Sequence, residues 1–138
     1  MPIKALLADD SDIMRSAIRR ALEEEPHIAL VGEASSFART MQLIADTKPD
    51  VLILDLHLAE KRDFTPAFVK SQLVTVKHIV AISFSIDDEA RELARSYGAS
   101  ALLDKMNLYN ELVPAIVRCS QTTHDNHSDA ASQTLDAE

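Results

Sequence analysis

Five residues with complementary chemistry each stand just beyond a short apolar run. Asp9 and Asp10 follow ALLA (5–8), Asp55 follows VLIL (51–54), Ser83 follows IVAI (79–82), and Lys105 comes one residue after ALL (101–103) and Asp104. Taken singly, each has an ordinary structural reading: the acids at 9–12 can cap a helix, Asp55 can be a loop residue, Ser83 a bystander and Lys105 a solvated charge. Taken together they point to one site. Two carboxylates 4 Å apart repel by about 4 kcal/mol at an effective dielectric near 20, so three gathered acids call for a cation. With only oxygen donors in the set, that cation is a hard one, most naturally Mg²⁺. A carboxylate can attack a phosphoryl group to form an acyl phosphate, while a metal, an ammonium and a hydroxyl hold the phosphoryl oxygens. Asp55 is the expected nucleophile. Asp10 and, through water, Asp9 would hold the metal, Lys105 would pair with the phosphoryl oxygens, and Ser83 would hydrogen-bond one of them.

These residues can meet only if the apolar runs are strands of one sheet. The runs ALLA, IALV (28–31), VLIL, IVAI and ALL start 23, 23, 28 and 22 residues apart. Each is strand length and continuous rather than alternating, as in a parallel sheet covered on both faces. Helices fill the gaps. Ile13, Met14, Ala17, Ile18, Ala21 and Leu22 form one stripe, with Ser11 or Asp12 as cap and Pro26 beyond its end. Phe37, Met41 and Ile44 form a second stripe, closed by Pro49. Thr65-Pro66 opens a short third helix through about Leu73. Ser85 with Asp88 resembles a capping box for a fourth helix that Gly98 terminates. A fifth carries Leu112, Val113, Ile116 and Cys119, with Pro114 in its first turn and Asn110 as its cap. Five β-α units predict an α/β fold: a doubly wound, five-stranded parallel sheet in the flavodoxin-like order 2-1-3-4-5, with helices on both faces. In such a sheet, chemistry collects beyond the carboxyl ends of the strands.

The 138 residues, 46% hydrophobic and 26% charged, suit one globular domain over residues 1–120. Residues 121–138, acidic and poor in large apolar side chains, are expected to form a disordered tail. Fourteen Lys and Arg against 22 Asp and Glu give a net charge of −8, which opposes direct nucleic-acid binding. No apolar run approaches membrane-span length, and a single Cys119 leaves no disulfide framework, so a cytoplasmic protein is expected. His124 and His127 make at best a weak metal pair in the tail.

The segments ALLADDS (5–11), VLILDLHL (51–58), IVAIS (79–83) and YGASALLDK (97–105) resemble the receiver domain of two-component response regulators over roughly residues 3–120. VGEASS (31–36) is most similar to receivers of LuxR/NarL-type regulators, and no output domain is expected within the residues after the fifth helix. The resemblance implies phosphoryl transfer from a sensor histidine kinase, or a histidine phosphotransfer protein, to Asp55. It implies a Mg²⁺ site of Asp9, Asp10, Asp55 and the backbone carbonyl of His57. It also implies a signalling domain rather than an enzyme, one that assists its own phosphorylation and dephosphorylation. The switch would run through Ser83 to the face made by the fourth helix, fifth strand and fifth helix, changing the binding of a downstream protein. A monomer or weak homodimer is expected.

The sequence departs from the family pattern in places. Leu58-Ala59 stand where Met-Pro is common, and Met106 replaces the proline that commonly follows the lysine, so a trans bond is expected there. Leu102 replaces the aromatic residue that often reports the switch. Phe84 occupies a position usually held by a small residue, where its ring would restrict access to Asp55. The alternative reading is a non-switching interaction module with a vestigial pocket. An aspartyl-phosphate hydrolase of the haloacid dehalogenase type is disfavoured, because DLHLAE lacks the second acid two residues after the nucleophile.

Overall fold

A computed structural model describes residues 1–125. Five strands, β1 (Ile3–Ala8), β2 (Ile28–Ala34), β3 (Val51–Asp55), β4 (His78–Ser83) and β5 (Ala101–Asp104), alternate with five helices, α1 (Asp12–Glu23), α2 (Phe37–Thr47), α3 (Pro66–Gln72), α4 (Asp88–Tyr97) and α5 (Leu108–Asp125). The strands form one parallel sheet in the order β2-β1-β3-β4-β5, the expected topology.

The continuous apolar runs follow from burial on both faces. Leu6, Ala8, Leu52, Leu54, Ile79 and Ala81 point into a layer shared with residues of α2, α3 and α4. Their neighbours Ala5, Leu7, Val51, Ile53, Val80 and Ile82 point into the opposite layer, against Ile18 and Leu22 of α1 and Leu112 and Ile116 of α5. With a side-chain period of two, a strand buried on both sides has no polar face left to alternate. β2, at the edge, is half-buried along most of its length and extends three residues past the predicted run.

The helix ends follow local capping. Ser11, Ser36 and Thr65 each accept a hydrogen bond from the backbone N–H three residues on, starting α1, α2 and α3. Gly98, at φ 83°, closes α4 in the left-handed conformation that favours glycine. Two predicted starts are corrected. The cap of α4 is Asp87, which accepts from Ala90 N at 2.8 Å; Ser85 instead gives its N–H to Ser83 Oγ at 3.1 Å and so belongs to the strand exit. α5 begins at Leu108, ahead of the expected cap Asn110. Asp104 accepts from Met106 N at 2.9 Å and opens a 3-10 turn over Lys105–Asn107 that runs straight into the helix. Pro114 consequently lies inside α5. Both Pro114 and Asn110 are exposed, so water reaches the Asn110 carbonyl that proline leaves without a donor. α5 also continues to Asp125, five residues past the expected domain boundary; residues 126–138, with His127, lie outside the described residues.

Candidate functional site

The register sets the site. Ala8 pairs with Leu54, Asp55 with Ile82, and Ser83 with Asp104, so residues 9, 55, 83 and 105 leave the sheet at one level. β1 and β3 are adjacent at the winding reversal, which brings the acids after them together. One carboxylate oxygen from each of Asp9, Asp10 and Asp55 lies within 4.8 Å of the other two. Asp9 is fully buried, Asp55 is 7% exposed, and Asp10 stands at the rim.

Asp9 and Asp55 are each held by their own strand exit. Asp9 Oδ1 accepts from Ser11 N at 2.9 Å, and the Asp9 carbonyl accepts from the Arg15 guanidinium at 2.7 Å. Arg15 also faces Glu33, which is locked by two hydrogen bonds from Arg19 at 2.6 and 2.9 Å. The Arg19 guanidinium holds the Glu33 carboxyl below the usual carboxylate range. Glu33, from the end of β2, therefore braces the back of the site and is not part of the acidic group. Asp55 Oδ1 accepts from His57 N at 3.4 Å, while Leu56 N and Leu58 N donate to the carbonyls of Ile82 and Asp55.

Lys105 crosses the gap. Its side chain is 5% exposed, and its Nζ lies 2.8 Å from Asp9 Oδ2 and 3.5 Å from Asp55 Oδ1. Lys105 and Asp9 Oδ2 form an ion pair at 2.8 Å, and no other partner of that oxygen is seen among the described residues. Burial pushes the Asp55 carboxyl above its ordinary value; the Lys105 ammonium pulls it down and the Asp9 charge pushes it up again. The group thus carries more negative charge than one ammonium satisfies. Three carboxylates facing a single ammonium, an all-oxygen donor set, fit a hard divalent cation.

Ser83 is buried at the end of β4, with its Oγ turned to the N–H of Ser85. The His57 ring is half-exposed and points away to Glu60, Nδ1 to Oε1 at 2.6 Å. The Lys105–Met106 bond is trans, as expected. Sequence reading missed the hold of Arg15 on the Asp9 carbonyl, and it put the Phe84 ring near Asp55 without its contact with Lys105, whose Nζ is 5.0 Å from the ring centroid. The spacing of Arg15 on the site end of α1 was a possible signal for the first; nothing in the chain tells which way the Phe84 ring turns.

No helix of the described residues is long and apolar enough to cross a membrane. Among curated proteins, the chain is 31% identical over 135 residues to the transcriptional regulatory protein LiaR of Bacillus subtilis, covering 96% of this chain and 63% of LiaR. It is 33% identical over 112 residues to protein-glutamate methylesterase/protein-glutamine glutaminase 3 of Myxococcus xanthus, covering 79% of this chain and 31% of that protein. The chain thus spans less than two thirds of either relative. Among solved structures, the signal receiver domain of the response regulator NarL from Mycobacterium tuberculosis superposes with a TM-score of 0.75 at 25% identity, over 87% of this chain and 97% of that one. The receiver domain of RcsB from Escherichia coli shares the fold, with a TM-score of 0.77 at 18% identity over 88% and 95% of the two chains. The response regulator receiver domain family matches residues 5–117. With that match spanning four of its five strands in full and most of the fifth, together with the parallel sheet and the acid and lysine group at its carboxyl edge, the chain belongs to the receiver domain family of two-component response regulators.

Proposed function

We propose that this receiver accepts a phosphoryl group on Asp55 from a phosphohistidine of a sensor kinase or histidine phosphotransfer protein, with Mg²⁺ held by Asp9, Asp10, Asp55 and the His57 carbonyl. The observation that carries this reading is the placement of Lys105 Nζ between Asp9 and Asp55, at 2.8 and 3.5 Å, beside a third carboxylate. An Asp55 oxygen attacks phosphorus; the new P–O bond forms as the bond from phosphorus to the donor nitrogen breaks, and the imidazole leaves with the electron pair. The divalent ion supplies positive charge for the phosphoryl oxygens. Lys105, already 3.5 Å from Asp55, has a stem long enough to follow those oxygens. Ser83 accepts from Ser85 N and keeps its own proton to donate to a phosphoryl oxygen.

The partner surface is supported by an apolar groove of about 190 Å³ between α1 and the start of α5, lined by Met14, Ala17, Ala21, Met106, Tyr109 and Leu112, with Lys105 at its edge. A helix carrying the phosphohistidine could lie there within reach of Asp55. The output is the α4, β5 and α5 face, which a new dianion at Asp55 would bias toward a second arrangement that a downstream protein reads.

Incubation with acetyl phosphate and Mg²⁺, followed by intact-mass analysis, tests the reading. An adduct of about 80 Da that needs Mg²⁺ and is lost in Asp55→Asn is expected. A chain that takes no adduct at any Mg²⁺ concentration has the vestigial pocket of the alternative reading.

A further inference from the structure

We propose that Phe84 is a positioning residue for Lys105, an aromatic latch that keeps the ammonium seated on Asp9 and so sets how much Mg²⁺ is needed to displace it. This deepens the phosphoacceptor reading above and rests on it.

Phe84 is 63% exposed, so burial of its ring gives it little reason to be where it is. The chain turns immediately after β4, where Ser85 N donates to Ser83 Oγ, and Phe84 lies within this turn. Its ring centroid lies 5.0 Å from Lys105 Nζ, within the range at which an ammonium is attracted by the negative face of a ring. The same Nζ has Asp9 Oδ2 at 2.8 Å and Asp55 Oδ1 at 3.5 Å. The ammonium is therefore held by two carboxylates and by a ring at the mouth of the site. The Lys105 side chain is only 5% exposed, and the Phe84 ring lies beside its Nζ.

The contact belongs to the arrangement in which Lys105 occupies Asp9. Asp9 is one of the three acids that would hold a divalent ion, directly or through water, so an ammonium seated on its carboxylate competes with the ion for that charge, and whatever stabilises the seated ammonium works against metal entry. A leucine at position 84 would keep an apolar cover but offer no ring face; a tyrosine would keep the face.

Two measurements on the full chain test this. In ¹H–¹³C spectra, the Lys105 Hε protons should be shifted upfield by the ring current in the native protein and in Phe84→Tyr, and should return to ordinary positions in Phe84→Leu. In calorimetric titration with Mg²⁺, Phe84→Leu should bind about five-fold more tightly than the native chain, the size of one cation–π contact, and Phe84→Tyr should match the native chain. In a Lys105→Met background, Phe84→Leu should leave Mg²⁺ affinity unchanged, because the ring acts through the lysine. Equal Mg²⁺ affinity in native and Phe84→Leu chains, the same gain in Phe84→Tyr, or an absent ring-current shift would overturn the proposal. Should the native chain take no phosphoryl group, the Asp55 reading fails on its own, while the Mg²⁺ and Lys105 signals still decide the role of Phe84.

Discussion

Replacing Lys105 with methionine removes the cation from between two buried acids and keeps the apolar stem. At an effective dielectric of 20, an ammonium 2.8 Å from Asp9 and 3.5 Å from Asp55 attracts them by about 6 and 5 kcal/mol. Most of this is cancelled by the cost of drying the ammonium, and breaking a buried ion group by removing one partner costs about 3–5 kcal/mol. We expect Lys105→Met to lose about 3 kcal/mol near pH 7.5 without Mg²⁺, a fall in melting temperature of roughly 10 °C. The loss should depend on pH in a set direction. Asp55 in the folded chain sits above its ordinary value, chiefly through burial, and Lys105 is the main influence pulling it down. Without the ammonium it rises further. An acid whose folded value exceeds its unfolded value weakens the fold when ionised, and that penalty fades as pH falls through the folded value toward the unfolded one near 4. The gap between native and variant should therefore narrow between about pH 7.5 and pH 4.5, and Mg²⁺ at neutral pH should narrow it too, because the ion replaces the missing charge and binds only the folded chain. Thermal melts at both pH values, with and without Mg²⁺, measure this. Equal melting temperatures, or a deficit indifferent to both pH and Mg²⁺, would refute the electrostatic account of the cup.

Asp10→Asn removes a rim carboxylate from the group of three and should weaken Mg²⁺ binding at least about ten-fold in calorimetry while moving the melting temperature by less than about 2 °C, since Asp10 is exposed. Gly98→Ala should cost about 1 kcal/mol in urea unfolding: φ there is +83°, and a Cβ would meet only Lys70 Cε at 3.9 Å, so the cost is conformational rather than steric. Tyr97→Phe should be neutral or stabilising by up to about 1 kcal/mol in the same assay. The Tyr97 hydroxyl is buried without a hydrogen-bond partner, and burial raises its pKa to about 12, so it is neutral across the working range.

Much of this fold was legible because its signals are strong ones. Runs such as VLIL are uninterrupted because strands β3 and β4 are buried on both faces, and the order of a doubly wound sheet then brings Asp9, Asp10, Asp55, Ser83 and Lys105 to one edge whatever the details of the loops. The helix starts were less legible, because neighbouring polar residues compete for the same backbone N–H groups. Asp87 rather than Ser85 caps α4, its carboxylate accepting from Ala90 N, and the Ser85 side chain hydrogen-bonds Asp87 instead. Asp104 opens the turn before α5, leaving Asn110 and Pro114 inside the helix. Least legible were contacts that depend on side-chain direction. Spacing puts Arg15 on the site end of α1 and Phe84 after β4, but the hold of Arg15 on the Asp9 carbonyl and the seat of the Phe84 ring beside Lys105 depend on side-chain rotamers that spacing does not set.

Borohydride trapping tests the central claim most directly. The chain is incubated with acetyl phosphate and Mg²⁺, reduced with borohydride, which converts an acyl phosphate to homoserine, and mapped by peptide mass spectrometry. Homoserine at position 55, and at neither 9 nor 10, is the expected result. Homoserine at another position, or an intact Asp55 in a chain shown by calorimetry to have bound Mg²⁺, would contradict it.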